Sequence, residues 1–88
     1  MKIGVLVSGG GTNLQAIIDN IENGRLRNCR IAVVVSSRPG AYALERARKH
    51  GIPAVLVARK DYASVDEYDA ALIEKMEEFG VELVVMAG

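Results

Sequence analysis

Along the chain, apolar positions fall alternately into short unbroken runs and into helical spacing. Residues 3 to 7, Ile-Gly-Val-Leu-Val, are apolar throughout except at Gly4, the pattern of a strand buried on both faces. After Gly9, Gly10 and Gly11 the period changes: Leu14, Ile17, Ile18 and Ile21 stand at i, i+3, i+4 and i+7 and mark one face of a helix. Ile31 to Val35 is a second buried strand, four of its five residues β-branched. Ala41 to His50 is rich in helix formers, with Leu44 and Ala47 on a narrow apolar face. Ala54 to Val57 reads as a third strand. Ser64-Val65-Asp66-Glu67 matches a capping box and starts a helix whose core stripe is Val65, Tyr68, Leu72, Met76 and Phe79. Leu83 to Met86 is a fourth strand, again expected to be buried. Gly24, Gly51 and Gly80 follow the three helical stretches and are expected to end them.

Strands alternating with helices imply right-handed crossovers and a parallel sheet with helices on both faces. The expected fold is α/β, a Rossmann-like three-layer sheet of four strands in the order 3-2-1-4 with three helices, as one domain over residues 1–88 without repeat or linker. The last strand is an oddity. A run as apolar as Leu83 to Met86 needs something on its far edge, and the carboxyl end of such a strand is where a ligand loop is expected. The chain therefore reads as the first part of a larger domain. The competing reading is a stand-alone phosphate- or nucleotide-binding module that forms a homodimer through this strand.

The chemistry suggested by the pattern lies between the first strand and the first helix. Three consecutive glycines let a ligand oxygen approach the backbone amides, and the unpaired amides and positive dipole end of the helix face the same point. Thr12 or Asn13 is placed to cap the helix or to turn outward to an anion. A tight reversal alone would need fewer glycines. A dinucleotide fingerprint fits poorly, because Leu14 stands where it requires Gly or Ala and the second strand runs into Ser36-Ser37-Arg38 without an acidic residue. No lysine follows the glycines, so a P-loop is excluded. A single phosphate, as in a monophosphate ester, remains.

Composition narrows the partners. Eleven basic and 11 acidic residues cancel, which argues against nucleic acid. The short cluster Arg25, Arg27 and Arg30 reads as a solvated connection. Cys29 is the single cysteine, giving neither a disulfide framework nor metal-ligand spacing and pointing to a reducing, cytoplasmic setting. The first strand begins too early to leave room for a signal peptide, and no apolar run approaches a membrane span. His50, the only histidine, ends a helix, where a cation meets the dipole favourably; catalysis would require a cleft and an orienting partner.

Val5-Leu6-Val7-Ser8-Gly9-Gly10-Gly11-Thr12-Asn13-Leu14-Gln15-Ala16-Ile17 resembles the opening motif of the phosphoribosylglycinamide formyltransferases, folate-dependent enzymes of purine synthesis. Ala43 to Ala47 resembles the second helix of that family and Val84 to Gly88 its fourth strand. The resemblance implies transfer of a formyl group from 10-formyltetrahydrofolate to glycinamide ribonucleotide, with Gly11, Thr12 and Asn13 taking the substrate phosphate. A related formyltransferase acting on another amine, or a formyltetrahydrofolate hydrolase, is the neighbouring alternative. Ser64 to Asp69 is similar to a segment in which many members carry an arginine near the folate; Val65 stands there in this chain. The family's catalytic asparagine, histidine and aspartate lie beyond the Ala-Gly matched by Ala87-Gly88, and His50 does not match that histidine. No catalytic residue is therefore assigned, and the 88-residue chain alone is expected to be inert.

Overall fold

The computed structural model describes residues 1–8, 12–25 and 28–87. The elements run β1 (Lys2–Val7), α1 (Thr12–Glu22), β2 (Arg30–Ser36), α2 (Tyr42–Lys49), β3 (Ala54–Leu56), a 3-10 turn (Arg59–Asp61), α3 (Val65–Glu78) and β4 (Leu83–Met86). All strand pairings are parallel, in the order β3-β2-β1-β4, as the alternation of elements implies. Gly24, Gly51 and Gly80 carry positive φ, the left-handed geometry common just past a helix end.

The core has two halves, one on each face of the sheet. Ile3, Val5 and Val7 of β1 and Val34 of β2 pack with Leu14 and Ile18 of α1 and with Ala43, Leu44 and Ala47 of α2. On the opposite face, Val33 and Val35 of β2 meet Val57, Tyr68 and Met76. The period-2 alternation of β2 thus divides its valines between two helical layers.

Gly4 shows why the first strand is not apolar throughout. A Cβ at this position would lie 2.4 Å from Met76 Sδ and 2.9 Å from Val81 Cγ2. The thioether can swing away, but the branched valine cannot yield as easily, so the approach of α3 and its following loop to β1 depends on glycine. The register of β1 against β2 also shifts between Ile3 and Gly4.

Three expectations are corrected. Val65 does not belong to the core stripe: it is 57% exposed, because it is the first residue of α3, and Tyr68, nearly a turn later, is the first stripe residue to join the buried cluster. Strand β4 is not buried either, with Leu83, Val84 and Met86 at 51%, 47% and 77% exposure. It pairs with β1 along one edge, and the buried residues of α3, Tyr68 and Met76, pack over β2 and β1. Finally, Thr12 and Asn13 stand inside the first turn of α1 rather than at its cap, so the helix opens one residue earlier than a Thr12 cap implies and two earlier than an Asn13 cap.

The capping box of α3 is present with an altered return arm. Ser64 Oγ accepts from the Glu67 amide at 3.2 Å, while Glu67 Oε2 accepts from the amide of Ala63 at 3.2 Å instead of that of Ser64. Either way, an otherwise unpaired donor ahead of the helix is satisfied.

Gly4→Ala should lower stability by about 1–3 kcal/mol through overpacking against Val81. Urea denaturation measures this, and the companion Val81→Ala should recover part of the loss when combined with it.

Candidate phosphate site at the carboxyl edge of the sheet

Because every strand runs in the same direction, the ends of β1, β2 and β4 and the start of α1 lie together at one edge. The backbone fixes this edge firmly. The Ser37 amide donates to Val7 O at 3.0 Å, the Ala87 amide to Leu6 O at 2.9 Å, the Val57 amide to Ser36 O at 2.9 Å and the Arg59 amide to Ser37 O at 3.1 Å. Ser36, fully buried, closes the turn after β2 on itself: its Oγ donates to Arg38 O at 2.8 Å and accepts from the Arg38 amide at 3.1 Å. A short hydroxyl in this position does what a side-chain-mimicked turn requires.

Of the expected phosphate residues, Gly11 and the side chain of Thr12 lie outside the described part of the structure. Thr12 and Asn13 open α1, an 11-residue helix, and the Asn13 side chain is exposed. The first-turn amides of α1 are therefore those of the residues singled out from the sequence. An oxyanion at such a terminus gains both hydrogen bonds and the dipole, each contact worth about 0.3–1 kcal/mol when exposed.

The carboxyl edge also holds a cavity of about 440 Å³, lined by Val7, Ser8, Ser37, Arg59, Tyr68 and Met86 among others. Sequence reasoning assigned Tyr68 to the core and passed over Arg59. Tyr68 is 8% exposed, and among the described residues its hydroxyl has no hydrogen-bond partner, an arrangement that costs about 1–3 kcal/mol where the group stays unsatisfied. Its ring packs at 5.8 Å, tilted by 59°, against Tyr62. Arg59 lies with its guanidinium carbon 5.6 Å from the centre of the Tyr68 ring, and Nη1 donates to Tyr62 O at 3.3 Å.

His50 lies away from this edge. It follows α2, and its Nδ1 is 2.8 Å from Glu22 Oε2 at the last turn of α1, about 15 Å of helix from Thr12. Its Nε2 is 3.4 Å from Gln15 Nε2, and Gln15 Oε1 accepts from Arg46 at 3.1 Å. These contacts tie α1 to α2. On the outer side of α2, Lys49 Nζ donates to the Tyr42 hydroxyl at 3.2 Å and holds that phenol below its ordinary range. Among the described residues no group of three or more histidines, cysteines or acids is placed to hold a metal ion, and no helix is long and apolar enough to cross a membrane.

The profile of the formyl transferases matches residues 1–88. The chain belongs to this family. Among formyl transferase relatives, it is 41% identical over 87 residues to the phosphoribosylglycinamide formyltransferase of Haemophilus influenzae, covering 99% of this chain and 41% of that protein. It is 40% identical over 88 residues to the trifunctional purine biosynthetic protein adenosine-3 of Chironomus tentans, 99% of this chain and 6% of that protein. Among solved structures, glycinamide ribonucleotide transformylase 1 of Symbiobacterium toebii superposes with a TM-score of 0.94 at 50% identity, over 100% of this chain and 41% of that one. Phosphoribosylglycinamide formyltransferase of Bacillus halodurans gives 0.93 at 33% identity, over 100% and 45%. The chain spans less than half the length of these relatives.

Replacing Ser36 by alanine leaves the Arg38 amide and carbonyl without their side-chain partner, so Ser36→Ala should cost about 1–3 kcal/mol. Chemical denaturation gives the loss, and amide hydrogen exchange should rise at Ser37 and Arg38 ahead of the sheet.

Proposed function

We propose that this chain is the N-terminal, phosphate-holding part of a cytoplasmic formyltransferase that moves a formyl group from 10-formyltetrahydrofolate to glycinamide ribonucleotide. Gly11, Thr12 and Asn13 take the ribose phosphate of the substrate. The observation that carries this reading is the formyl transferase match over residues 1–88, joined to a helix that opens at Thr12 on the ligand-binding edge of the sheet.

The reaction needs few parts. The amine of the ribonucleotide attacks the formyl carbon, a new C–N bond forms, the bond from that carbon to the folate nitrogen breaks with its electron pair going to that nitrogen, and the proton lost by the amine ends there by way of a base. Holding the phosphate contributes position: it fixes one end of the substrate so that the amine at the other end meets the donor repeatedly in one geometry. Proton transfer and stabilisation of the developing oxyanion need further groups, and the relatives named above have more than half of their length outside the matched region. The chain by itself therefore binds the phosphate end without turning substrate over.

Titration of the isotope-labelled chain with ribose 5-phosphate should give saturable shifts at the Thr12 and Asn13 amides, and Asn13→Ala should weaken binding by about tenfold. Added salt should weaken binding further. Shifts confined to other parts of the chain would remove the phosphate role. With glycinamide ribonucleotide and 10-formyltetrahydrofolate, the 88-residue chain should release no tetrahydrofolate; turnover would show that these residues carry the chemistry as well.

A further inference from the structure

We propose that His50, Gln15 and Arg46 form a proton-dependent switch in the seam between α1 and α2: a neutral His50 leaves Arg46 bonded to α1, and a protonated one releases it. Two unambiguous partners fix the orientation of the Gln15 amide. Its Oε1 lies 3.1 Å from Arg46 Nη1 and its Nε2 lies 3.0 Å from Asp19 Oδ1. A guanidinium only donates and a carboxylate only accepts, so the oxygen faces α2 and the amino group faces Asp19. That amino group also stands 3.4 Å from His50 Nε2. The ring nitrogen there must accept, and carries no proton of its own. On the other side of the ring, Nδ1 is 2.8 Å from Glu22 Oε2, which calls for the proton on Nδ1. The seam therefore holds the neutral imidazole in one tautomer, its N–H toward Glu22 and its lone pair toward Gln15.

A second proton on the ring changes the role of one atom. Imidazolium donates at both nitrogens. Glu22 keeps its bond from Nδ1, now with opposite charge, but at Nε2 two donors face each other. The Gln15 amide relieves this by turning over, which presents Oε1 to His50 and carries Nε2 to Arg46, where it meets a donor again. Asp19 loses its amide partner in the same movement. One amide with its acceptor at one end cannot serve both donors where they stand, so Arg46, whose guanidinium already lies 4.8 Å from the centre of the Tyr42 ring, leaves α1. Charged groups approach from three elements: Glu22 and Asp19 from α1, Arg46 from α2, and Arg30 from β2, which lines the same small hollow as Glu22 and His50. Lys49, the chain neighbour of His50, is turned to the Tyr42 hydroxyl. Gln15 stands in the first turn of α1, three residues after Thr12, so a proton taken up at the end of α2 is felt where α1 opens.

The test is a pH titration of the isotope-labelled 88-residue chain, followed by NMR between about pH 8 and pH 5, where imidazole gains its proton. At the alkaline end the imidazole nitrogens should report a protonated Nδ1 and a bare Nε2. On acidification the Gln15 side-chain amide signals should shift with the midpoint of the His50 ring, and the Arg46 guanidinium signals should shift with that same midpoint. His50→Gln should abolish both responses over this range. Gln15→Glu, which offers an acceptor oxygen at each end, should keep Arg46 bonded and its signals constant while His50 still titrates, a behaviour that a merely structural contact does not produce. The proposal falls if Nε2 carries the proton at the alkaline end, if the Gln15 amide does not follow the His50 midpoint, or if Arg46 responds equally in the His50→Gln chain.

Discussion

The burial of β1 on both faces and along both edges is the constraint from which the rest of the arrangement follows. Its backbone pairs with β2 on one side and β4 on the other, and its flanking carbonyls are also used. Met1 O accepts from Arg30, Lys2 O from Glu82, Leu6 O from Ala87 and Val7 O from Ser37. With Ile3, Val5 and Val7 turned to α1 and α2, and Gly4 and Leu6 toward α3, neither face has room for a polar side chain. The strand must end where its neighbours end, and the chain leaving it must turn into α1 at the same edge. The placement of Thr12 and Asn13 is a result of that geometry.

Most of this was legible from periodicity, because a doubly buried strand and a one-sided helix leave different marks. Leu14 and Ile18 read as core and are core; Leu44 and Ala47 likewise. The order of strands, with β1 between β2 and β4, is also as expected. Gly4 was legible only as an interruption. Its meaning depends on the position of Met76 and Val81, more than 70 residues later, and nothing local encodes such a contact.

The failures share one cause. Val65 and Leu83 to Met86 are apolar, and hydrophobicity shows what a side chain prefers without showing whether a partner is present. Val65 precedes the part of α3 that meets the sheet, and β4 has β1 on one edge while its side chains lie open. Leu6, Ile73, Met76 and Val84 line a further apolar hollow of about 410 Å³ beside it. Similarly, the capping position of α1 could not be separated from its first turn, because Thr and Asn are acceptable at either place and helix ends shift by a residue with small changes in geometry.

At the carboxyl edge, the same economy that hides a residue from sequence reading makes it interpretable in three dimensions. Tyr68 falls on the correct stripe, so its ring satisfies the periodicity and its hydroxyl goes unnoticed. Arg59 lies in a turn, where a charged residue needs no explanation. Only the crossover from β3 to α3 brings the two together, across a ring that both packs the core and supports the guanidinium. The ring thereby serves two neighbours at once: Tyr62 packs against it at 5.8 Å and the Arg59 guanidinium lies over it.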